Sequence, residues 1–546
     1  MKNTPASQQE STPRSDQAGT DRETERVAAP PLEAAPWRDA QPRMQFAQLE
    51  GDLTVDVAIV GGGISGLTAA LLLCDAGLRV ALVDSQRLVG GESARTTAHL
   101  TAYPDVGLDA LRRSFGAERA QEVWDSGSAA IDEIERTIRA HRIECDFKRV
   151  PAFRFTEDPS RVAELEQEFE AARMLGAPVA FNTDSSSLHA SARASIVFRE
   201  QARFDVLAYL GAVIRVLDER GCRMFERSAV VDVDDGDPVR VRTEHGVIRA
   251  RDAIVAAHVP VNNRLFLHTK LAAYRTYALA ATLSAPIPDQ LAWDDLEPYH
   301  YVRTATIDGV PVAVVGGEDH RTGEVVDVRE RIRALQRWAQ QRLPIRSMHC
   351  AWSGQIIHSV DGLPYIGRNS LSQHVWEATG FGGNGMTFGT LAASLLCDGI
   401  FGRENPWSEI YDATRITPLA SARGYVKENV AFPKHFVLDR LQATDGDVSS
   451  LERGSAGMFR IGARRAAVYR DPEGHLHALS ATCPHLGCNV AFNEAETSWD
   501  CPCHGSRFDI DGKVLNGPAV SPLRSLSLGA PAQPNVAPIA GGSAQA

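Results

Sequence analysis

No apolar run in the 546 residues approaches the roughly 18 to 20 that a membrane-spanning helix needs, so any membrane contact is expected to be peripheral. The opening stretch, MKNTPASQQESTPRSDQAGTDRETER, lacks a hydrophobic core. That excludes a secretory signal and leaves a Ser-, Thr- and Gln-rich segment expected to be disordered. Positive charge is not in excess: 57 Lys and Arg against 69 Asp and Glu leave a net charge of -12, which argues against a nucleic-acid surface. Cysteine is sparse, nine in all, and Cys74, Cys145, Cys222, Cys350 and Cys397 are scattered, as buried thiols are and a disulfide framework is not. The expectation is a soluble cytoplasmic protein of two or three domains.

What is present begins with VDVAIVGGGISGLTAALLLCDAGLRVALVD, in which Gly61, Gly63 and Gly66 form G-x-G-x-x-G. An apolar strand precedes the loop, a helix containing Ile64 and Ser65 follows, and a second strand ends at Asp84, the full context of a dinucleotide fingerprint. Gly61 permits the tight turn, Gly63 admits a pyrophosphate to the backbone, and Gly66 lets helix pack on strand. The helix N-terminus offers N–H groups and partial positive charge to the diphosphate, and Asp84 is placed to accept from ribose hydroxyls. A plain glycine turn in a βαβ unit is the competing reading.

A second match, GFGGNG at 380–385, also follows a strand and opens a helix, but no strand ending in an acid comes some 20 residues later. One complete fingerprint plus a distant glycine-rich helix start suits FAD, a long ligand with a far end to hold. A separate NAD site would need a second full fingerprint.

Near the C-terminus, CPHLGCNVAFNEAETSWDCPCHGS crowds four cysteines and two histidines into residues 483–506. Zinc prefers two C-x-x-C knuckles, or C-x-x-C with H-x₃₋₅-H. Here the order is Cys483-x-His485, then Cys501-x-x-His504. Two thiolates for one iron and two neutral imidazoles for the other are what a Rieske [2Fe–2S] centre needs. Cys488 and Cys503 fall at matching places beside the two ligand pairs.

Two resemblances follow. Residues 52–402 resemble the D-amino-acid oxidase (DAO) family of FAD-dependent oxidoreductases. The resemblance rests on the glycine loop, SARTTAHLTAY at 93–103, DGLPYIGRN at 361–369 and ATGFGGNGMTFG at 378–389. It implies that Arg95, Thr96 and Thr97 pass near the flavin and its diphosphate, and that Gly382, Gly383, Asn384, Gly385 and Met386 lie against the isoalloxazine. There a helix dipole would stabilise charge at the N1–C2=O edge. His99 stands near the place where some relatives link flavin covalently, with a noncovalent neighbour as the other reading. In EPYHYVRTATIDG, Tyr299, Tyr301 and Arg303 share one face if this is a strand. They would suit a substrate carboxylate there, or form a solvated face.

The C-terminal loops are similar to the Rieske proteins of cytochrome bc complexes. That implies a Cys488–Cys503 disulfide and a covering proline loop in GPAVSPL, 517–523. Ser506 matches a serine that bonds sulfide there, whereas Phe508 replaces a tyrosine that bonds a ligand sulfur. A potential below the bc-type ceiling and above plant-type ferredoxins is therefore expected.

The expected fold is an α/β FAD-binding Rossmann-like domain interleaved with an α+β substrate domain, plus a C-terminal all-β Rieske domain. A disordered polar tail covers 1–49. The oxidoreductase domain covers 50–402, with FAD-binding parts at about 52–105, 190–262 and 346–402 and substrate-binding parts at about 106–189 and 263–345. A linker occupies 403–440, the Rieske domain 441–528 and a flexible tail 529–546. Within 106–180 the pattern reads as charged helix.

Joined on one chain, the two halves imply a dehydrogenase that takes electrons from a small amine or amino acid and sends them through the cluster to an external one-electron acceptor. The alternatives are an NAD(P)H-fed flavin/Rieske reductase and a redox-sensing electron-transfer module without catalysis. A Rieske oxygenase would want His-x₄-His, and none of the sixteen histidines are so spaced.

Overall fold

A computed structural model describes residues 44–527 apart from 184–190, 262–266, 308, 371, 418–447 and 462–463, together with Pro30, Leu32, Ala35 and Trp37. The first sheet runs Tyr365–Arg368, Val375–Thr379, Asp252–Val255, Val57–Val60, Val80–Val83, Arg223–Phe225. Its strands are parallel except for the first. VAIV, VALV and DAIV are buried at every position, as strands covered on both faces must be. The helix Ile64–Asp75 packs between Val206–Glu219 and Gly385–Phe401 beside this sheet. Asp205 starts the second of them by accepting from the N–H groups of Leu207 and Ala208.

A larger mixed sheet forms the second layer. Its path is Ile345–Ser359, Leu271–Leu283, Val310–Arg321, His300–Ile307, Leu291–Trp293, Lys148–Thr156, Ala194–Arg203, His99–Leu100. The helix Val328–Arg342 packs on it. At the C-terminus, a three-stranded sheet (Ala456–Ile461, Arg464–Arg470, Leu476–Ser480) and a four-stranded one (Ala491–Asn493, Ser498–Asp500, Arg507–Phe508, Val514–Asn516) form an all-β unit.

Three expectations change. The helical reading of 106–180 holds for Leu108–Phe115, Ala117–His141 and Val162–Met174. It is interrupted by the strand Lys148–Thr156 and followed by the strand Val179–Asn182. Pro151 sits where the register of the first of these shifts, a bulge that spares the ladder the N–H proline lacks.

The tail is not loose up to residue 49. Trp37 is buried edge-on against Trp352 and donates its indole N–H to Ala94 at 3.1 Å, and Leu49 N–H donates to Ser228. Nor is the linker free at its start. Ile410 and Tyr411 are buried in the short helix Ser408–Tyr411, and Arg415 pairs with buried Asp361 at 2.8 Å. The remainder of both tails and 418–440 lie outside the described residues.

Candidate functional site

A cavity of about 2560 Å³ runs from the glycine loop, across the face of the large sheet, to the C-terminal unit. At one end Gly61, Gly63, Ile64, Ser65 and Asp84 line it. Gly61 has φ +110°, and a Cβ there would strike the carbonyl of Ala256, so the backbone leaves room only for glycine. Gly66 lies behind the wall, its missing side chain letting the helix rest on Gly61, as expected of the third glycine. The helix that begins at Ile64 has no acid in its first turn and no side-chain cap from Gly63. Its positive end is therefore compatible with an anion. The Asp84 oxygens are each held by one backbone N–H, from Gly62 at 2.8 Å and Gln86 at 2.7 Å, which leaves lone pairs for ribose hydroxyls. A glycine turn, a helix start whose first N–H meets only the neutral Ser93 hydroxyl at 3.1 Å, and a partly satisfied acid fit a dinucleotide diphosphate and ribose.

The middle of the cavity gathers residues distant in sequence. Arg95, Thr96 and Thr97 border it, as do Gly382, Gly383, Asn384, Gly385 and Met386. His99 Nδ1 lies 3.2 Å from Thr97 Oγ1, its Nε2 is buried with no partner among the described residues, and its ring meets Tyr301 edge-on. Burial and the neighbouring Arg303 push its pKa down to about 3, so the ring is neutral. Tyr299 and Tyr301 line the cavity, and burial raises both phenols, which therefore remain donors.

Arg303 does not join them. Its guanidinium turns away and donates to the carbonyls of Thr97, Thr304 and Phe204, so it holds backbone and offers no clamp to a carboxylate. Two groups that sequence reasoning missed stand here. Asp105 accepts from Gly383 N–H at 2.6 Å, and Asp319 borders the cavity beside Tyr299 and Thr276. The signal for the latter was an acidic residue pair, Glu318–Asp319, inside the otherwise apolar strand VPVAVVGGEDHR.

The two cysteine–histidine loops share one geometry. Gly487 N–H donates to Cys483 and Gly505 N–H to Cys501, each at 3.0 Å, and both glycines have φ near +78°. Cys483 and Cys501 are buried free thiols that interact directly, with one drawn down by its partner and by the N–H of His485 while the other is pushed up. The rings of His485 and His504 are 5.0 Å apart. Cys488 and Cys503 form a disulfide that ties the loops together. Ser506 lies beside Cys483 and its Oγ accepts from Ala519 N–H, which anchors the 517–523 segment over the loops; Phe508 is wholly buried. A thiol pair and an imidazole pair carried by the same two disulfide-tied loops fit, by donor type, a two-iron cluster with unlike ligands on its two metals.

The second loop rests on the large sheet. Gln355 donates to Gly505 O at 2.8 Å, and a Cβ on Gly505 would collide with Ala273. A Cβ on Gly323 would stand 2.5 Å from Pro502 N. His268 meets the ring of His485 edge-on at 4.6 Å and that of His504 at 5.9 Å. Glu496 is held between Arg275, whose side chain is 0% exposed, at 2.7 Å and Arg507 at 2.6 Å. Burial opposes its charge, but the two guanidiniums hold its carboxyl well below the usual range.

Residues 56–399 match the DAO family, described as FAD dependent oxidoreductase, and residues 443–527 match the Rieske [2Fe-2S] domain. The chain belongs to the DAO family of FAD-dependent oxidoreductases and carries a C-terminal Rieske domain; the first implies FAD and the second a [2Fe–2S] cluster. A protein of Bacillus subtilis (strain 168) described as a Rieske 2Fe-2S iron-sulfur protein, YhfW, is 31% identical over 90% of this chain and 97% of its own. The gamma-glutamylputrescine oxidoreductase of Escherichia coli (strain K12) is 24% identical over 65% and 85%. The crystal structure of glycine oxidase from Geobacillus kaustophilus shares the fold over 67% of this chain and 99% of that one, with TM-score 0.57 and 18% identity. Among the described residues no helix is long and apolar enough to cross a membrane.

Proposed function

We propose that the chain dehydrogenates an organic amine or amino acid at the C–H next to nitrogen, with the electrons leaving through the Rieske centre to an external one-electron acceptor. The observation that carries this is the seating of the second ligand loop. Ala273 and Gln355 touch Gly505, while Gln355 itself and Tyr274, the next residue after Ala273, line the cavity. One strand pair thus borders both the cavity and the ligand loop, which supports a short path between a flavin in the one and a cluster in the other. FAD supplies a two-electron acceptor able to release electrons singly, and the cluster takes one at a time.

In this reading Gly61, Gly63, Ile64 and Ser65 receive the diphosphate, Gly66 seats the helix and Asp84 takes the ribose. Arg95, Thr96 and Thr97 on one side and Gly382 to Met386 on the other border the isoalloxazine. Cys483 and Cys501 hold one iron, His485 and His504 the other, and the Cys488–Cys503 bridge keeps the loops in register. Neutral His99 and the protonated Tyr299 and Tyr301 present uncharged polar groups to the reacting end. The names of the relatives, a gamma-glutamylputrescine oxidoreductase and a glycine oxidase, support a C–N bond as the donor.

Anaerobic addition of amines and amino acids to the loaded protein tests the reading. Loss of the oxidised flavin band together with appearance of the reduced Rieske EPR signal is expected. Reduction of flavin alone would refute the relay.

A further inference from the structure

Resting on the reading of this cavity as an amine or amino-acid site, we infer that the substrate is an organic ammonium recognised by its positive charge, without an α-carboxylate, and that Asp319 is the residue that selects it.

Three arginines at the substrate end are already committed, and His358 on the cavity wall acts on Asp105. Arg154 donates to the Tyr103 hydroxyl and lies 3.8 Å from Glu168. Arg331 pairs with Glu318 at 3.1 Å. Arg303 is turned into backbone carbonyls. None of the three presents an uncompensated charge to a substrate carboxylate.

The carboxylates are placed the other way. Asp319 lines the cavity with its Oδ1 buried, and the groups that reach its carboxyl are the neutral hydroxyls of Thr276 and Tyr299. His300, the histidine that acts on it, is held between Asp294 at 2.9 Å and Glu318 at 3.2 Å. Tyr299 connects Asp319 to the flavin-facing segment: its hydroxyl is beside Asp319 and flanks Gly383, on which Asp105 also sits. Exposed Glu297 stands on the cavity wall.

A buried carboxylate lacking a counter-ion is costly, and a desolvated cation entering beside it relieves that cost. An α-carboxylate in the same place would meet like charge whenever Asp319 and Asp105 are ionised, and would itself push both further toward their neutral forms. Burial, with Asp105 and Glu318 nearby, already drives Asp319 up to about 7. The sequence motif for a carboxylate clamp on Arg303 is thus replaced, in the folded chain, by a cation site.

Three small ligands without hydrogen on a nitrogen-bearing carbon separate the possibilities without turnover: tert-butylammonium, pivalate and 2-aminoisobutyrate. Isothermal titration into the full chain, loaded with FAD and cluster, should show tert-butylammonium binding and pivalate not. 2-Aminoisobutyrate should bind at least about tenfold more weakly than the amine. Asp319→Asn should weaken tert-butylammonium at least about tenfold while FAD content is unchanged. Equal or tighter binding of pivalate or 2-aminoisobutyrate, no heat with any of the three, or an unaltered D319N affinity would overturn the inference. The three-ligand comparison on the unmutated protein decides it even if D319N fails to fold. Because none of these ligands can be oxidised, a failed relay leaves the result readable.

Discussion

The side-chain amide of Gln355 donates to the carbonyl oxygen of Gly505 at 2.8 Å, while its backbone N–H donates to Glu92 at 2.6 Å. One residue of the large sheet therefore holds the second cysteine–histidine loop and the segment that follows the glycine loop. Gln355→Leu would leave Gly505 O without this donor inside the junction, at about 1–3 kcal/mol. Stopped-flow reduction should show flavin-to-cluster transfer slowed severalfold while the EPR signal of the assembled cluster persists.

Glu496 contributes stability only while it is ionised. Arg275 and Arg507 depress its folded-state pKa below the unfolded carboxylate value of about 4.3, so the contribution is complete above that pH and is lost as pH falls through the lower value. Glu496→Leu leaves buried Arg275 without its carboxylate, while Arg507 keeps Asp500 at 3.0 Å, and should cost about 3–5 kcal/mol at pH 7, a gap that narrows in strong acid. Denaturant unfolding across pH measures it.

Asp319 acts in the opposite sense. Its folded pKa of about 7 lies above the unfolded value of about 3.9, so the folded state loses stability as pH rises between the two and stays lowered beyond. Without amine ligand, D319N should match the unmutated protein near pH 4 and exceed it by on the order of a few kcal/mol at pH 8. Thermal unfolding at the two pH values checks the crossover.

His268 covers the rings of His485 and His504, the proposed imidazole ligands, and His485 is only half-buried. Removing the cover by His268→Ala should speed diethyl pyrocarbonate modification of His485 severalfold. Mass spectrometry of the loaded protein reads the rate directly.

The cluster potential should respond to Ser506 and Phe508. Ser506→Ala removes a hydroxyl beside Cys483, and Phe508→Tyr adds one at a wholly buried site. Hydrogen bonds to cluster sulfur raise the potential. S506A should therefore lower the midpoint and F508Y raise it, by tens of millivolts each. Spectroelectrochemical titration measures both, and an unmutated midpoint near the plant-type level of roughly -400 mV would contradict the ligand set.

Short-range pattern carried much of this in the chain itself. G-x-G-x-x-G between two apolar strands, with Asp84 ending the second, is legible because backbone sterics and helix polarity act within some 30 residues. The two cysteine–histidine loops are legible for the same reason, each being a local turn closed by its own glycine. The strand Lys148–Thr156 was not, because its lysine- and arginine-bearing segment resembles a helix face until pairing with Ala194–Arg203 defines which side is buried.

The amino-acid sequence alone determined two cofactor classes and the short loops proposed to hold them. The tertiary structure decided what faces what: Arg303 turned into backbone, Asp319 and Asp105 brought to one cavity from over 200 residues apart, and Gly505 seated on Gln355. Those outcomes depend on long-range strand order and on the burial of charge. Neither is encoded in the spacing of any one segment.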